Sequence, residues 1–238
     1  MPKPFPDDIE YSMTEQSEAP LHGYRGELAE PPLPGEAAGL TIALSREAGS
    51  RGGSIAKRAG EKLGWEVYSQ EMMEFIAQDP TVRQDLLTRL MPAGQEWLDA
   101  RMGQLFHEQD MSQNPHILDL ARLVLSLGAQ GSVILLGRGA GMILPSRSTL
   151  HVRLVAPQHD RITYMSQWLR LTEEEAAEQV RKRDHRRADF LTTHFHRKPS
   201  DVHIYDMVLN TSLLGEDRCA ELIVAAAKAK MSAVVGMD

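Results

Sequence analysis

Three groups of residues in this sequence have the types and spacing to handle phosphate. The first is Thr41 to Gly64, TIALSREAGSRGGSIAKRAGEKLG: a short apolar run, a loop containing Gly49, Gly52 and Gly53, and a helical pattern. Glycines between a strand and a helix let successive backbone N–H groups turn toward one point, where the helix N-terminus adds about half a positive charge. Such a turn cradles an anion. It matches the phosphate-loop pattern G-x-x-x-x-G-K-[ST] only in part: Gly52 and Gly53 precede the hydroxyl of Ser54, and the lysine is missing. Arg46 and Arg51 are the nearby cations, and either could reach a bound phosphate from the loop.

The second group is Arg138, which follows an apolar strand and is flanked by Gly137 and Gly139, so that its planar, always charged fork starts from a fixed base. The third is Arg181, Lys182, Arg183, Arg186 and Arg187, five cations in seven residues offset within the run only by Asp184. On a helix, positions 183, 186 and 187 share one face. Transfer of a phosphoryl group needs positive charge around its equatorial oxygens, and a mobile flap carrying these arginines would supply it while excluding water. His194 and His196 form an H-x-H, but no acidic or cysteine ligand stands at a recognisable metal spacing. No serine-histidine-acid or paired-carboxylate pattern points to hydrolysis.

The elements that must position these groups are legible in the apolar pattern. Leu40 to Leu44, Trp65 to Tyr68, Ser132 to Leu136, Leu150 to Val155 and Tyr205 to Asn210 read as strands. Ile55, Ala59 and Leu63 give a helical stripe ending near Gly64, and Met72 to Ile76 a second helix stopping at Asp79-Pro80. Strand and helix alternating at this spacing imply a parallel sheet. Residues 81–128 break the rhythm with successive helices, through Leu86, Leu87 and Leu90, then Trp97 to Phe106, then Ile117 to Leu127. The last is apolar on most faces and belongs in the core or a subunit contact. Thr172, with Glu175 three residues on, predicts a capping box opening the helix that carries the arginine run. Gly215 to Lys230 reads as the closing helix.

The chain has 238 residues, 42% of them hydrophobic, enough for one large α/β domain. Its formal charge of −7 is concentrated: residues 1–38 carry eight acidic and two basic side chains and seven of the thirteen prolines, so this segment is expected to be a disordered tail. The nearly neutral remainder, with its clustered arginines, suits a small anionic ligand better than a nucleic-acid track. One cysteine, no apolar run of membrane-spanning length and an N-terminus without the regions of a signal peptide lead us to expect a cytoplasmic protein with no membrane partner.

In order along the chain, SREAGSRGGSIAKRAGEKLGWEVYSQE, GRGAGMILP, LHVRLVAP, RKRDHRRADF and YDMVLNTSLL resemble the cytidylate kinase-like family of nucleoside monophosphate kinases, over about residues 40 to 230. The resemblance implies an α/β P-loop kinase fold: a five-stranded parallel sheet flanked by helices, a helical insertion and an arginine-rich lid. On this division 39–235 is the kinase-like domain, 80–128 the monophosphate-binding insertion and 172–199 the lid. It implies magnesium-dependent transfer of the γ-phosphoryl group of ATP to a nucleoside monophosphate, typically CMP or dCMP. By position, Arg46, Gly49, Ser50, Gly52, Gly53 and Ser54 would bind ATP, with Ser54 near magnesium. Arg138 would hold the acceptor phosphate. Arg51, Arg183 and Arg187 would be catalytic, and Arg181 and Arg186 further lid cations. The sequence departs from cytidylate kinases at two places: the P-loop lysine is missing, and Gly139 replaces the aspartate that helps read the base. The alternatives are a nucleotide-binding regulator without turnover and a P-loop kinase for another small acceptor.

Overall fold

The computed structural model describes residues 39–88, 92–109 and 114–235; the expected tail, 1–38, and Leu90 lie outside them. Five strands, β1 (Thr41–Arg46), β2 (Glu66–Tyr68), β3 (Val133–Leu136), β4 (Thr149–Val155) and β5 (Met207–Asn210), form one parallel sheet in the order β2-β3-β1-β4-β5. The central strand is buried from Thr41 to Leu44, as an unbroken apolar run covered on both faces should be. It is locked between neighbours, with Ala43 level with Leu135 on one side and His151 on the other.

Each strand leads into a helix: α1 (Gly52–Leu63), α2 (Gln70–Gln78), α6 (Ala140–Ile143), α7 (Gln158–Leu169) and α9 (Thr211–Val235). Between α2 and β3 come α3 (Pro80–Thr88), α4 (Pro92–Gln109) and α5 (Pro115–Gln130); between α7 and β5 come α8 (Glu173–Phe195) and a 3-10 turn at Val202–Ile204. On one face Ala43 and Leu135 pack with α2, α4 and α5; on the other Ile42, Leu44 and Val152 pack with α1 and α9. Helix α5 is apolar nearly all round because Leu123, Leu125 and Leu127 are all fully buried in the first of these layers. Each such side chain contributes roughly 1.5–3 kcal/mol of burial.

Local chemistry sets the ends of the elements. The Thr172–Glu175 capping box is present, and Gly64 closes α1 in the left-handed conformation. Strand β1 runs two residues past Leu44 because its pairing with β4 continues to Arg46. Strand β5 begins at Met207, not Tyr205, because the Tyr205 N–H closes the 3-10 turn on the Val202 carbonyl. Asn210 accepts from the N–H groups of Ser212 and Leu213, starting α9 earlier than expected, and Gly215 (φ 77°, ψ 168°) then breaks that helix. At the amino edge of the sheet, Gly39 lies against Gly131, where a Cβ would collide with the Gly39 backbone. No helix among the described residues is long and apolar enough to cross a membrane.

The turn after β1 is pressed against α7. Gly49 has φ +82°, and a Cβ there would sit 2.5 Å from the Arg161 carbonyl oxygen and 2.9 Å from its Cα. Gly49→Ala is therefore expected to cost about 2 kcal/mol or more of stability. An unchanged urea midpoint would contradict this packing.

Candidate active site at the carboxyl edge of the sheet

Outside the carboxyl ends of the strands, where open α/β sheets bind ligands, lies a cavity of about 980 Å³ bounded by α2 and α8. Six arginines line it: Arg46 from the end of β1, Arg138 from the turn after β3, Arg153 from β4, and Arg183, Arg186 and Arg187 from α8. Four carboxylates, Glu47, Glu71, Glu74 and Asp184, face them, and Val155, Phe190, Val202 and Val208 supply apolar wall.

Arg46 lies across two glycines. A Cβ on Gly52, the first residue of α1, would stand 3.0 to 3.2 Å from Cβ, Cγ and Cδ of Arg46, and a Cβ on Gly137 would collide with its guanidinium. Burial, then the charge of Arg187, pushes Arg46 down to about 9, with Arg138 and Arg183 acting in the same sense and Glu71 opposing them. It remains a cation at neutral pH. Burial alone would raise Glu71, but hydrogen bonds from its own backbone N–H and the Ser69 hydroxyl, with Arg46 and Arg187 nearby, hold its carboxyl below the usual range.

Gly137, Arg138 and Gly139 are three consecutive left-handed residues (φ 91°, 53° and 68°). This conformation throws the Arg138 side chain into the cavity, where it pairs with Glu74 and lies 5.0 Å from the Phe190 ring centroid. Its Nε is buried without a hydrogen-bond partner. Gly139 is roofed by Phe195: a Cβ there would be 2.5 Å from the ring.

Asp184 ties α8 to the glycine turn. One of its oxygens accepts from the Ala48 N–H at 2.7 Å, and the other takes Nη1 of Arg161 at 2.5 Å. The same Arg161 nitrogen donates to the Ala48 carbonyl at 3.1 Å, and Nε donates to Ala156 at 3.0 Å. Glu47 completes the knot, accepting from the Ala156 N–H at 3.1 Å and lying 3.4 Å from Nε of Arg161. Arg187 donates to the Arg46 carbonyl at 3.4 Å and sits 3.7 Å from Asp184; burial lowers its pKa, which Asp184 partly offsets.

Of the residues that the sequence singles out, the structure brings Arg46, Arg138, Arg183, Arg186 and Arg187 to one cavity, whereas Gly49 and Ser50 of the turn and Gly52 and Gly53 at the start of α1 do not line it, Gly52 meeting it only through the Arg46 side chain. Arg51, Ser54 and Arg181 do not line it. Arg51 takes the left-handed N-cap of α1, with its guanidinium 5.1 Å from the Tyr164 centroid and 3.8 Å from Glu216. Ser54 donates to the same Glu216. The carboxylate of Glu216, on α9, thus meets both of these side chains. Arg181 is exposed and paired with Glu178 at 2.6 Å. Ser54 is hydrogen-bonded to Glu216, and no three His, Cys, Asp or Glu side chains converge among the described residues; a magnesium ion carried in on nucleotide phosphates takes most of its ligands from phosphate and water and asks for no such group.

Sequence reasoning missed Glu47, Glu71, Glu74, Asp184 and Arg153 as parts of the site. Two signals were available: Glu71 and Glu74 stand three apart on the helix that follows β2, and Asp184 interrupts a cationic run.

The sequence model of the cytidylate kinase-like family matches residues 41–213. Among curated proteins, the chain is 29% identical over 103 residues to a uronate isomerase of Corynebacterium glutamicum; the match takes in 43% of this chain and spans about a fifth, 20%, of that relative's length. Among solved structures, an uncharacterized protein from Eubacterium ventriosum shares the fold with a TM-score of 0.56 at 17% identity, covering 80% of this chain and 98% of that one. Shikimate kinase from Bacteroides thetaiotaomicron gives 0.44 at 13% identity, with 80% and 97% covered. The parallel five-stranded sheet, its flanking helices and a family match over most of the chain agree: this protein has a P-loop kinase fold and belongs to the cytidylate kinase-like family.

Proposed function

We propose that this protein transfers the γ-phosphoryl group of ATP to a small phosphorylated acceptor, a nucleoside monophosphate such as CMP or dCMP. The glycine turn takes the donor phosphates, Arg138 the acceptor phosphate, and Arg183 and Arg187 the group in flight. An acceptor phosphate oxygen bonds to the γ-phosphorus, the bond from that phosphorus to the β–γ bridging oxygen breaks, and ADP leaves with its electron pair. The observation that carries this reading is the set of six guanidinium groups facing four carboxylates beside a glycine turn. Guanidiniums held in place beforehand stabilise developing charge without reorganising, which is most of what phosphoryl transfer asks of a protein. Carboxylates hold them until phosphate arrives. Helix α8 acts as the lid, closed through Asp184. The buried Cys219 suits the reducing cytoplasm, where both nucleotides are present.

One observation favours an acceptor other than cytidylate. Gly139 occupies the place of the base-reading aspartate, and the ring of Phe195 fills the space that its side chain would need. A P-loop kinase for a different small anion is therefore the second reading.

Purified protein assayed for ADP formation with ATP, magnesium and each common monophosphate is expected to show acceptor-dependent turnover. No turnover with any monophosphate would overturn the monophosphate-kinase reading and leave an acceptor of another class or nucleotide binding without catalysis. Arg138→Ala should weaken acceptor use by about 10- to 100-fold, the worth of a charge-assisted hydrogen bond, and ATP binding far less. Equal losses for both ligands would remove Arg138 from the acceptor site. Gly139→Asp should lower the melting midpoint by roughly 5 °C without creating a preference for CMP. A stable variant that gained that preference would show that Phe195 can yield and would favour the cytidylate reading.

A further inference from the structure

The loop that lacks its lysine has a cation in reach of the same place. Gly52 opens α1, where the N–H groups of the turn converge. The volume that a side chain at 52 would fill is taken by the Cβ, Cγ and Cδ atoms of Arg46, 3.0 to 3.2 Å from a Cβ built there. The guanidinium continues to Gly137, beside Gln70, and faces the cavity shared with Arg138. Arg51, the other nearby cation, is held by Glu216 and Tyr164 outside the cavity lining.

We propose that Arg46 supplies the charge that P-loops carry as lysine, and that Gly52 and Gly137 are side-chain-free so that it can lie across both. The proposal rests on the phosphotransferase reading above and replaces Arg51 by Arg46 in it. The stem of Arg46 starts at the donor turn and its head ends at the acceptor side. A planar fork in that position can donate to a γ-phosphoryl oxygen and to an acceptor oxygen at once, which a point-like ammonium cannot do with the same geometry. Glu71 offsets the charge between turnovers. Side chains at 46 and 52 then crowd one volume: a lysine at 52 must push the Arg46 stem aside, and the crowding is relieved when Arg46 is cut back.

The test is reciprocal. ATP binding by calorimetry and ADP formation are measured on the wild type, Arg46→Ala, Arg51→Ala, Gly52→Lys and the double variant Arg46→Ala/Gly52→Lys, with circular dichroism as the folding check. Arg46→Ala should lose about 10²- to 10³-fold in turnover, and Arg51→Ala less than about tenfold. Gly52→Lys alone should be impaired, and the double variant should regain about tenfold or more over Arg46→Ala. If Arg46→Ala does not fold, Arg46→Gln, which keeps the stem and removes the charge, gives the single-variant comparison with Arg51→Ala, and Arg46→Gln/Gly52→Lys is then expected to regain nothing over it. A greater loss in Arg51→Ala than in Arg46→Ala, or a double variant no better than Arg46→Ala, overturns the assignment while leaving the phosphotransferase reading intact. A wild type that neither binds ATP nor forms ADP overturns both.

Discussion

Like charges brought together away from bulk water must be offset, and this constraint organises the ligand edge of the protein. Two unit charges 4 Å apart at an effective dielectric near 20 interact by about 4 kcal/mol, so six guanidiniums around one cavity need opposing carboxylates simply to coexist. The carboxylates come from separate elements: Glu47 from the turn after β1, Glu71 and Glu74 from α2, and Asp184 from α8. Each element is held at the cavity partly by the charge it offsets. Burial is the main reason Arg46 is lowered and hydrogen bonds the main reason Glu71 is, with Arg187 adding to the first and Arg46 to the second.

This balance joins fold and chemistry. A parallel sheet with helices on both faces leaves only its strand ends for polar work, and the ends of β1 and β3 here carry Arg46 and Arg138. In the left-handed run from Gly137 to Gly139 only Arg138 bears backbone strain, and the glycines on either side leave room for the Arg46 guanidinium and the Phe195 ring. Helix α8 contributes at both levels: its Phe195 belongs to the apolar core while Asp184, about three turns earlier, grips Ala48 and Arg161. Through Asp184 the polar knot and the arginine cavity share one carboxylate, so the position of α8 and the charge of the cavity are coupled.

Much of the fold was legible because it rests on local signals. The five buried runs are strands, the capping box at Thr172 opens α8, and Arg183, Arg186 and Arg187 share a face because helical geometry leaves them no other arrangement. Boundaries moved where a longer-range partner decided: the register with β4 extended β1 to Arg46, and the Asn210 side chain started α9 early. The site was legible only in its cations. An acid on a helix looks the same in sequence whether it meets water or a guanidinium, so Glu71 and Glu74 carried no mark of the cavity. Nor could sequence separate Arg46 from Arg51: one ends a strand facing inward, while the other sits in a left-handed cap turned toward Glu216 on a helix 160 residues downstream, roughly, by chain count.

The contact between Gly39 and Gly131 lies at the opposite edge of the sheet from all of this. A strand is a nearly inextensible rod, and the five steps of about 3.3 Å along six residues place the two ends of β1 roughly 17 Å apart. Where the rod is stopped at its foot determines how far its head protrudes. The close approach of two bare backbones beneath the sheet is compatible with the register that holds β1 beside β3 and β4, and a methyl group added at Gly131 would push against the foot of the strand that carries Arg46.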